Sequence, residues 1–111
     1  MDFSQDLLKG TFVPVILSLL KEKPMYGYQM VQFVNARTGG RLQWREGTLY
    51  PTLHRMEGQK FIRSKWEQAS DAEGGRQRKY YYITPRGLTE LTQRAAEWQE
   101  FASAVNALVA Q

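Results

Sequence analysis

Residues 46–62 read EGTLYPTLHRMEGQKFI, and this stretch decides the fold. Leu49, Leu53 and Met56 recur at spacings of four and three, which is the period of a helix with one buried face. The opposite face is neither apolar nor a solvated run of Lys and Glu. It carries compact residues, flat rings and hydrogen-bond donors: Gly47, Thr48, Tyr50, Pro51, His54 and Arg55. The stretch therefore predicts a short helix with one core face and one face for contact with another molecule.

Two further helices are predicted upstream of this stretch. Thr11 to Lys21 has apolar residues at helical spacing, and Lys23-Pro24 ends the element. A second helix is predicted from about Tyr26 to Thr38, with Gly39-Gly40 as its stop. Residues 4–10 are expected to form a short preceding helix or an arm that ends at Gly10.

Pro51 indicates where the third helix begins. A proline deep inside a helix collides with the preceding turn, so the start is predicted near Glu46 to Thr48. After Lys60 the apolar period changes from 3.6 to 2. Residues 61–68 and 76–84 both read as aromatic-rich strands, joined by the turn residues ASDAEGG. They predict a β-hairpin with a polar tip.

The last helix is predicted from Pro85 to about Ala110, with Thr84 as its N-cap. Its apolar residues follow an unbroken heptad over three repeats: Leu88, Leu91, Ala95, Trp98, Ala102, Val105 and Val109. A helix of about 25 residues is a rod of roughly 38 Å. That is too long to bury against so small a body, so this seam predicts a symmetric homodimer.

The element order predicts a mainly α fold with a small β-hairpin. Three helices followed by a two-stranded wing form a winged helix-turn-helix, in which the third helix is the DNA reader. We expect a winged helix-turn-helix domain over residues 1–84 and a C-terminal dimerisation helix over residues 85–111.

Composition limits the function classes. The 111-residue chain is 42% hydrophobic and 23% charged and has no cysteine, which suits one globular domain in a reducing cytosol. Its N-terminus is not that of a signal peptide, and the apolar run from Phe12 to Leu20 is too short to cross a bilayer. The sequence therefore predicts a soluble cytoplasmic protein without a membrane partner.

The positive charge lies in the first 84 residues. Residues 85–111 carry two basic and three acidic side chains, so the rest carries thirteen and eight, a net +5 within the total of +4. Such a balance favours a polyanionic partner, although many cytosolic domains carry as much.

The third helix and the wing have the chemistry of a DNA reader. Thr48, Tyr50, His54 and Arg55 supply donors and flat groups for phosphates and base edges, beside the positive end of the helix dipole. The wing adds Arg76, Arg78 and Lys79 near its Gly-rich tip. Taken singly, the third-helix side chains favour a solvated surface over DNA contact, and edge protection is a common role for such wing cations. The combination with the heptad favours DNA.

Three segments resemble the PadR family of transcriptional regulators: PMYGYQM (24–30), EGTLYPTLHRMEGQKFI (46–62) and GGRQRKYYYITPRG (74–87). The resemblance extends from Leu7 through the last helix and is that of the short subfamily. It implies a homodimeric winged-helix protein, usually a repressor, that binds double-stranded DNA at inverted repeats and leaves it when a small molecule binds. By motif match it implies these DNA-facing residues: Tyr26, Gly27, Thr48, Tyr50, Pro51, Arg55, Arg78 and Lys79.

Two residues depart from the family pattern. Gln29 stands where the family often has an acidic residue, which alters a local ion pair. Lys60 stands where the family usually has glycine before the first strand, with Gly58 two residues earlier. We therefore expect the turn after the third helix, and the tilt of that helix, to be the least certain part of the resemblance.

Trp98 is the candidate for an effector site. An indole at a central heptad position meets its symmetry mate or the partner's body, and can form a slot for a planar aromatic compound. Phe101 lies within one turn, and Phe12 or Val15 of the first helix are candidates for the walls. Packing of the dimer core is the equally plain interpretation of Trp98.

Two other function classes compete with DNA binding. A winged-helix module that binds protein instead of DNA remains the alternative, although it predicts an apolar or acidic third-helix face. Catalysis is rejected, because the chain has no cysteine, no partner for its sole histidine and no phosphate-binding glycine loop. His54 likewise lacks companions for a metal, so no metal or cofactor is predicted.

Overall fold

The computed structural model describes residues 10–69 and 74–109. Residues 4–9 of the predicted arm, the residues 70–73 of the wing tip and the predicted helix end at Ala110 lie outside this part. Within it the chain forms four helices and one three-stranded antiparallel sheet. None of the helices in the described ranges combines the length and the hydropathy that a membrane span requires.

The helices and strands follow the predicted order. The helices are α1 (Phe12–Glu22), α2 (Gly27–Arg37), α3 (Glu46–Gly58) and α4 (Pro85–Val109). The strands are β1 (Met25–Tyr26), β2 (Ile62–Gln68) and β3 (Gln77–Ile83). The predicted start of α3 near Glu46 is confirmed, and Pro51 lies in its second turn. The mainly α, winged-helix fold class is confirmed.

The sheet has one strand more than the predicted two-stranded wing. Met25 pairs with Tyr81, and Tyr26 pairs with Tyr80, so that β3 lies between β1 and β2. A strand of two residues shows no alternation in the sequence, and its partner lies more than fifty residues away. The pairing joins the start of α2 to the wing.

The buried face of α3 lies at the centre of the core. Leu49, Leu53 and Met56 are fully buried, as the period of that stretch predicts. They pack with residues of α1, α2 and β2, of which the largest that are fully buried are Ile16, Leu17, Met30 and Ile62. Because its whole inner face is buried, α3 is held in one orientation with its outer face toward solvent.

The loop between α2 and α3 is fixed by a side-chain clamp. The backbone N–H of Trp44 donates to Oδ1 of Asn35 (2.9 Å), and Nδ2 of Asn35 donates to the Trp44 carbonyl (3.3 Å). The Trp44 ring is buried against Phe12 with 4.8 Å between ring centroids. The clamp fixes the chain two residues before α3 begins.

Lys60 preserves the turn that the family's glycine is expected to make. Its φ of 69° is left-handed. The Lys60 N–H donates to the Glu57 carbonyl (3.0 Å), and the Phe61 N–H donates to the Met56 carbonyl (3.1 Å). The helix end is therefore closed in the usual left-handed manner, which is most often made by glycine.

Helix α4 is anchored at its first turn and projects from there. The Thr84 hydroxyl donates to the Lys60 carbonyl (2.6 Å) and accepts from the Gly87 N–H (3.0 Å). Gly87 is the buried residue of this helix, which otherwise leaves much of its apolar surface exposed. The described part of the chain accordingly measures 51 × 31 × 21 Å.

Candidate nucleic-acid interface

The outer face of α3 presents the predicted reading side chains to solvent. Thr48, Pro51, His54 and Arg55 are exposed, and Tyr50 is 43% exposed. Arg55 reaches back along the helix, where Nη2 donates to Oγ1 of Thr52 (3.4 Å). These side chains lie on one surface, here named the reading face.

Tyr50 lies across the start of α2. A β-carbon placed on Gly27 would lie 2.6 Å from the Tyr50 hydroxyl oxygen and 2.7 Å from two ring carbons. The Tyr50 ring therefore occupies the space that a side chain at position 27 would need. Burial raises the pKa of the Tyr50 phenol, Glu46 raises it further, and Arg78 lowers it. The phenol remains a protonated hydrogen-bond donor at neutral pH.

Two of the wing cations are supported by aromatic rings. The Arg78 guanidinium lies 5.0 Å from the Tyr26 ring centroid, and the Lys79 ammonium lies 5.8 Å from that of Tyr81. Nε of Arg78 is buried and has no hydrogen-bond partner among the described residues. Arg76 is exposed at the end of the wing.

Like Gly27, Tyr26 differs from the other predicted DNA-facing residues, because it is buried. It is 7% exposed and meets the Tyr80 ring edge-on at 5.4 Å between centroids. Little of its surface is available for direct contact. Its place beneath Arg78 makes it a support for a wing cation.

Glu57 connects the end of α3 to the wing. Its carboxylate accepts a hydrogen bond from the Ser64 hydroxyl on β2 (2.6 Å) and lies 4.0 Å from the Lys79 ammonium on β3. Burial first, and Glu57 second, raise the pKa of the neighbouring Tyr81 phenol. The reading face and the wing are therefore joined by polar contacts as well as by the core.

Gln29 provides a neutral cap at the start of α2. Its Oε1 accepts from the backbone N–H of Tyr26 (3.2 Å), which is the side-chain contact of an N-terminal capping box. A glutamine makes this bond as an acidic residue would, without adding negative charge near the reading face.

A cleft of about 400 Å³ separates α3 from the wing. Tyr50 and His54 line it from the helix, and Lys79 and Trp66 line it from the strands. Trp66 was not among the residues predicted from the sequence, yet it is 67% exposed. Its phase in β2, shared with Ile62 and Ser64, is the sequence signal that places it on the α3 side.

The predicted dimer residues form an open stripe along α4. Leu88 is 42%, Trp98 51%, Val105 38% and Val109 72% exposed, and Ala95 is also exposed. Leu91 and Ala102 are partly covered, and Leu91 packs on the core of its own chain. Phe101 and Leu108 extend the apolar surface beyond the heptad positions.

The structure brings Trp98 together with two of the three other predicted effector residues. Val15 and Trp98 line a mostly apolar cavity of about 480 Å³ between α1 and α4. Phe101 lies beside Trp98, with 6.3 Å between ring centroids, and the two line a second cavity of about 250 Å³. Phe12 lines neither cavity, because it is 8% exposed and packs on Trp44 in the core.

Comparison with known proteins identifies the family. Residues 16–93 match the sequence profile described as the transcriptional regulator PadR-like family. An uncharacterized protein of Lysinibacillus sphaericus is 37% identical over 95 residues, which cover 86% of this chain and 84% of that protein.

Solved structures agree over almost the whole chain. A transcriptional regulator from Clostridium thermocellum superposes with a TM-score of 0.85 at 31% identity, covering 96% of this chain and 98% of that one. A PadR family regulator from Eggerthella lenta gives 0.76 at 35% identity, with coverage of 94% and 86%. A PadR-like regulator from Bacillus cereus gives 0.80 at 31% identity, with coverage of 95% and 97%. These relatives are transcriptional regulators and not enzymes, and the chain belongs to the PadR-like family of DNA-binding transcriptional regulators.

Proposed function

We propose that this protein is a homodimeric repressor that acts in the cytoplasm on an inverted-repeat operator and leaves it when a small aromatic or hydrophobic effector binds. The observation that supports this most strongly is that α3 has one buried face and one exposed face. Its inner residues Leu49, Leu53 and Met56 are fully buried, while Thr48, His54 and Arg55 are exposed. A helix held this firmly, with donors outward, suits a major groove.

DNA recognition is assigned to the reading face together with the wing. Thr48, Tyr50, His54 and Arg55 offer donors to base edges and phosphates, and the α3 N-terminus favours a phosphate near Gly47. Arg76, Arg78 and Lys79 add cations along the backbone. Gly27 leaves room for the Tyr50 ring, and the Tyr26 ring lies beneath the Arg78 guanidinium.

Dimerisation is assigned to residues 85–111. The exposed heptad stripe of α4 is more apolar than a free surface helix requires, and a second copy covers it with the fewest assumptions. Two copies related by a twofold axis would place two α3 helices in successive major grooves, about one helical turn apart. The operator would then be an inverted repeat.

The effector is assigned to the apolar cavity between α1 and α4. Val15, Leu91 and Trp98 line it, which suits a planar apolar molecule. A ligand wedged beside Trp98 would change the angle between the two halves of the dimer and spoil the spacing of the reading helices. This couples the two sites.

A gel-shift titration tests the proposal. The probe is the DNA upstream of the protein's own gene, with an unrelated duplex as control, across a series of salt concentrations. Tight binding that prefers the upstream fragment and weakens steeply with salt is expected. Arg55→Ala and Tyr50→Ala should weaken it, whereas Gln93→Ala on the exposed side of α4 should not. Weak, salt-insensitive binding of both duplexes would favour the protein-binding alternative.

Effector control has its own test. Aromatic compounds are screened by quenching of tryptophan fluorescence, and binders are added to the protein–operator complex. Release of DNA by a binder, and its loss in Trp98→Ala, is expected. A full response in a folded, dimeric Trp98→Ala variant would remove the effector site from this cavity.

A further inference from the structure

Exposed large apolar side chains fall into two groups. Within the described residues, six lie on α4, at or beside the proposed dimer seam. Three lie on the rest of the chain: Tyr28, Tyr50 and Trp66. Trp66 is the most exposed of these three at 67%, and neither the core nor the α4 seam includes it.

The strand register fixes the side of the wing on which Trp66 lies. Ile62, Ser64 and Trp66 alternate along β2 and face Ile83, Tyr81 and Lys79 on β3. Ile62 and Tyr81 are buried in the core, and Ser64 bonds Glu57 of α3. Trp66 is the next residue outward on that same side, so its indole borders the cleft between α3 and the wing.

The opposite side of the wing has a different character. Arg63 and Lys65 lie over the Tyr82 ring there, at 4.7 Å and 5.2 Å from its centroid. The Tyr82 ring is therefore covered by two cations from the neighbouring strand β2. Trp66 has no such cover among the described ring contacts, and it shares its side with Tyr50, His54 and Lys79.

The cleft has the chemistry of a sugar–phosphate strand. In a duplex this strand separates the major groove, which α3 would occupy, from the minor groove, which lies beside the wing. The Lys79 ammonium and the Tyr50 hydroxyl suit a phosphate, and a flat indole suits the apolar C–H face of a deoxyribose. Cations beside an exposed ring favour DNA over an apolar protein partner.

We propose that the cleft between α3 and the wing receives one sugar–phosphate strand and that Trp66 packs against its deoxyribose. This inference rests on the proposed DNA-binding function and deepens it. Because a sugar contact carries no sequence information, Trp66 contributes affinity for any duplex and sets the distance between wing and backbone.

The test compares Trp66→Ala, Trp66→Phe and Arg63→Ala, the last on the opposite side of the wing. Dissociation constants are measured for the upstream fragment and an unrelated duplex at several salt concentrations. Trp66→Ala should weaken both complexes about tenfold, or about 1.4 kcal/mol, with an unchanged salt slope. Trp66→Phe should retain most of the affinity. Arg63→Ala should not show the salt-independent loss of affinity that is expected of Trp66→Ala.

The outcomes separate this inference from the proposed function. Failure of the wild-type protein to bind any duplex would overturn both. Normal DNA binding by Trp66→Ala would overturn the Trp66 contact alone. A loss of affinity in Trp66→Ala that appears only as a shallower salt dependence would also overturn it, because that result indicates a phosphate contact. Acrylamide quenching supplies a second readout: DNA should shield a tryptophan in the wild type, and the shielding should disappear in Trp66→Phe.

Discussion

The phenol of Tyr50 lies so close to Gly27 that a methyl group on Gly27 would be 2.6 Å from its hydroxyl oxygen. One residue belongs to the reading helix and the other to the first turn of α2. Gly27 therefore affects the reading face although it lies outside α3, because its lack of a side chain leaves room for the Tyr50 ring.

Gly27→Ala is expected to weaken DNA binding without unfolding the protein. The added methyl group displaces the far end of a flexible side chain, while alanine favours the helix by up to about 1 kcal/mol relative to glycine. We expect about tenfold lower affinity, or about 1.4 kcal/mol, by gel shift or anisotropy. Gly58→Ala, whose methyl group meets nothing within 4 Å, is the matched control.

A double-mutant cycle separates this route from a general disturbance. In a Tyr50→Ala background, Gly27→Ala should cost no further affinity, because the displaced ring is already absent. Additive losses in the two backgrounds would show that Gly27 acts on DNA binding by another route.

Lys60→Gly is expected to stabilise the fold. Lys60 holds a left-handed φ of 69°, which costs a residue with a β-carbon about 1 kcal/mol. Part of that gain is offset by the greater freedom of glycine in the unfolded chain, so we expect a net increase of roughly 0.5 kcal/mol. Urea denaturation at fixed protein concentration measures it. Gln59→Gly, at a φ of −81°, should destabilise instead.

Gly87→Ala is expected to destabilise the junction of α4 with the wing. A β-carbon there would lie 2.1 Å from the Phe61 carbonyl oxygen and 2.8 Å from Cγ1 of Ile83. Because the first of these is backbone, relief requires movement of the helix, and we expect a loss of about 3 kcal/mol. Gln93→Ala on the same helix serves as control. A Gly87→Ala protein as stable as wild type would mean that α4 can shift freely.

The pair Tyr82 and Glu67 predicts a pH dependence of stability. The Tyr82 hydroxyl donates to Oε2 of Glu67 (2.5 Å). This bond lowers the pKa of Glu67 below 4.5 and raises the pKa of Tyr82 above 10.0. The Glu67 contribution is present above pH 4.5 and is lost as the pH falls through the lowered pKa. The Tyr82 contribution is present below pH 10 and is lost as the pH rises through the raised pKa.

Tyr82→Phe tests that dependence. The difference in unfolding free energy between wild type and variant should be largest between those two limits and shrink toward both extremes. Chemical denaturation at several pH values measures it, with Tyr28→Phe as a control for loss of an exposed phenol. A difference that stays constant from acid to alkaline pH would contradict the assigned hydrogen bond.

Much of the fold could be predicted because its elements carry strong local patterns. Leu49, Leu53 and Met56 repeat at the helical period, and Pro51 limits where that helix can begin. Met25 and Tyr26 form a strand too short to show any period, and only a long-range pairing reveals it.

The arrangement of the candidate site was less predictable than the fold. Residue type and spacing indicated the exposed donors of α3. Burial of Tyr26 and Phe12, however, depends on Tyr80 and Trp44, which lie far away in sequence. The phase that Trp66 shares with Ile62 and Ser64 is visible in the sequence, but Trp66 was missed because its place beside α3 depends on how β2 pairs and packs.

The contacts of Thr84 and Gly87 make a rigid joint at the first turn of α4, so a rotation there moves the whole helix. Helix α4 leaves that joint as a rod of roughly 38 Å, so a small rotation at one end becomes a large displacement at the other. A tilt of about 10° would move the far end by about 6.5 Å, close to two base-pair rises of about 3.4 Å. In the proposed dimer, a stiff joint would therefore convert an angular change too small to unpack the core into a displacement of nearly two base-pair rises.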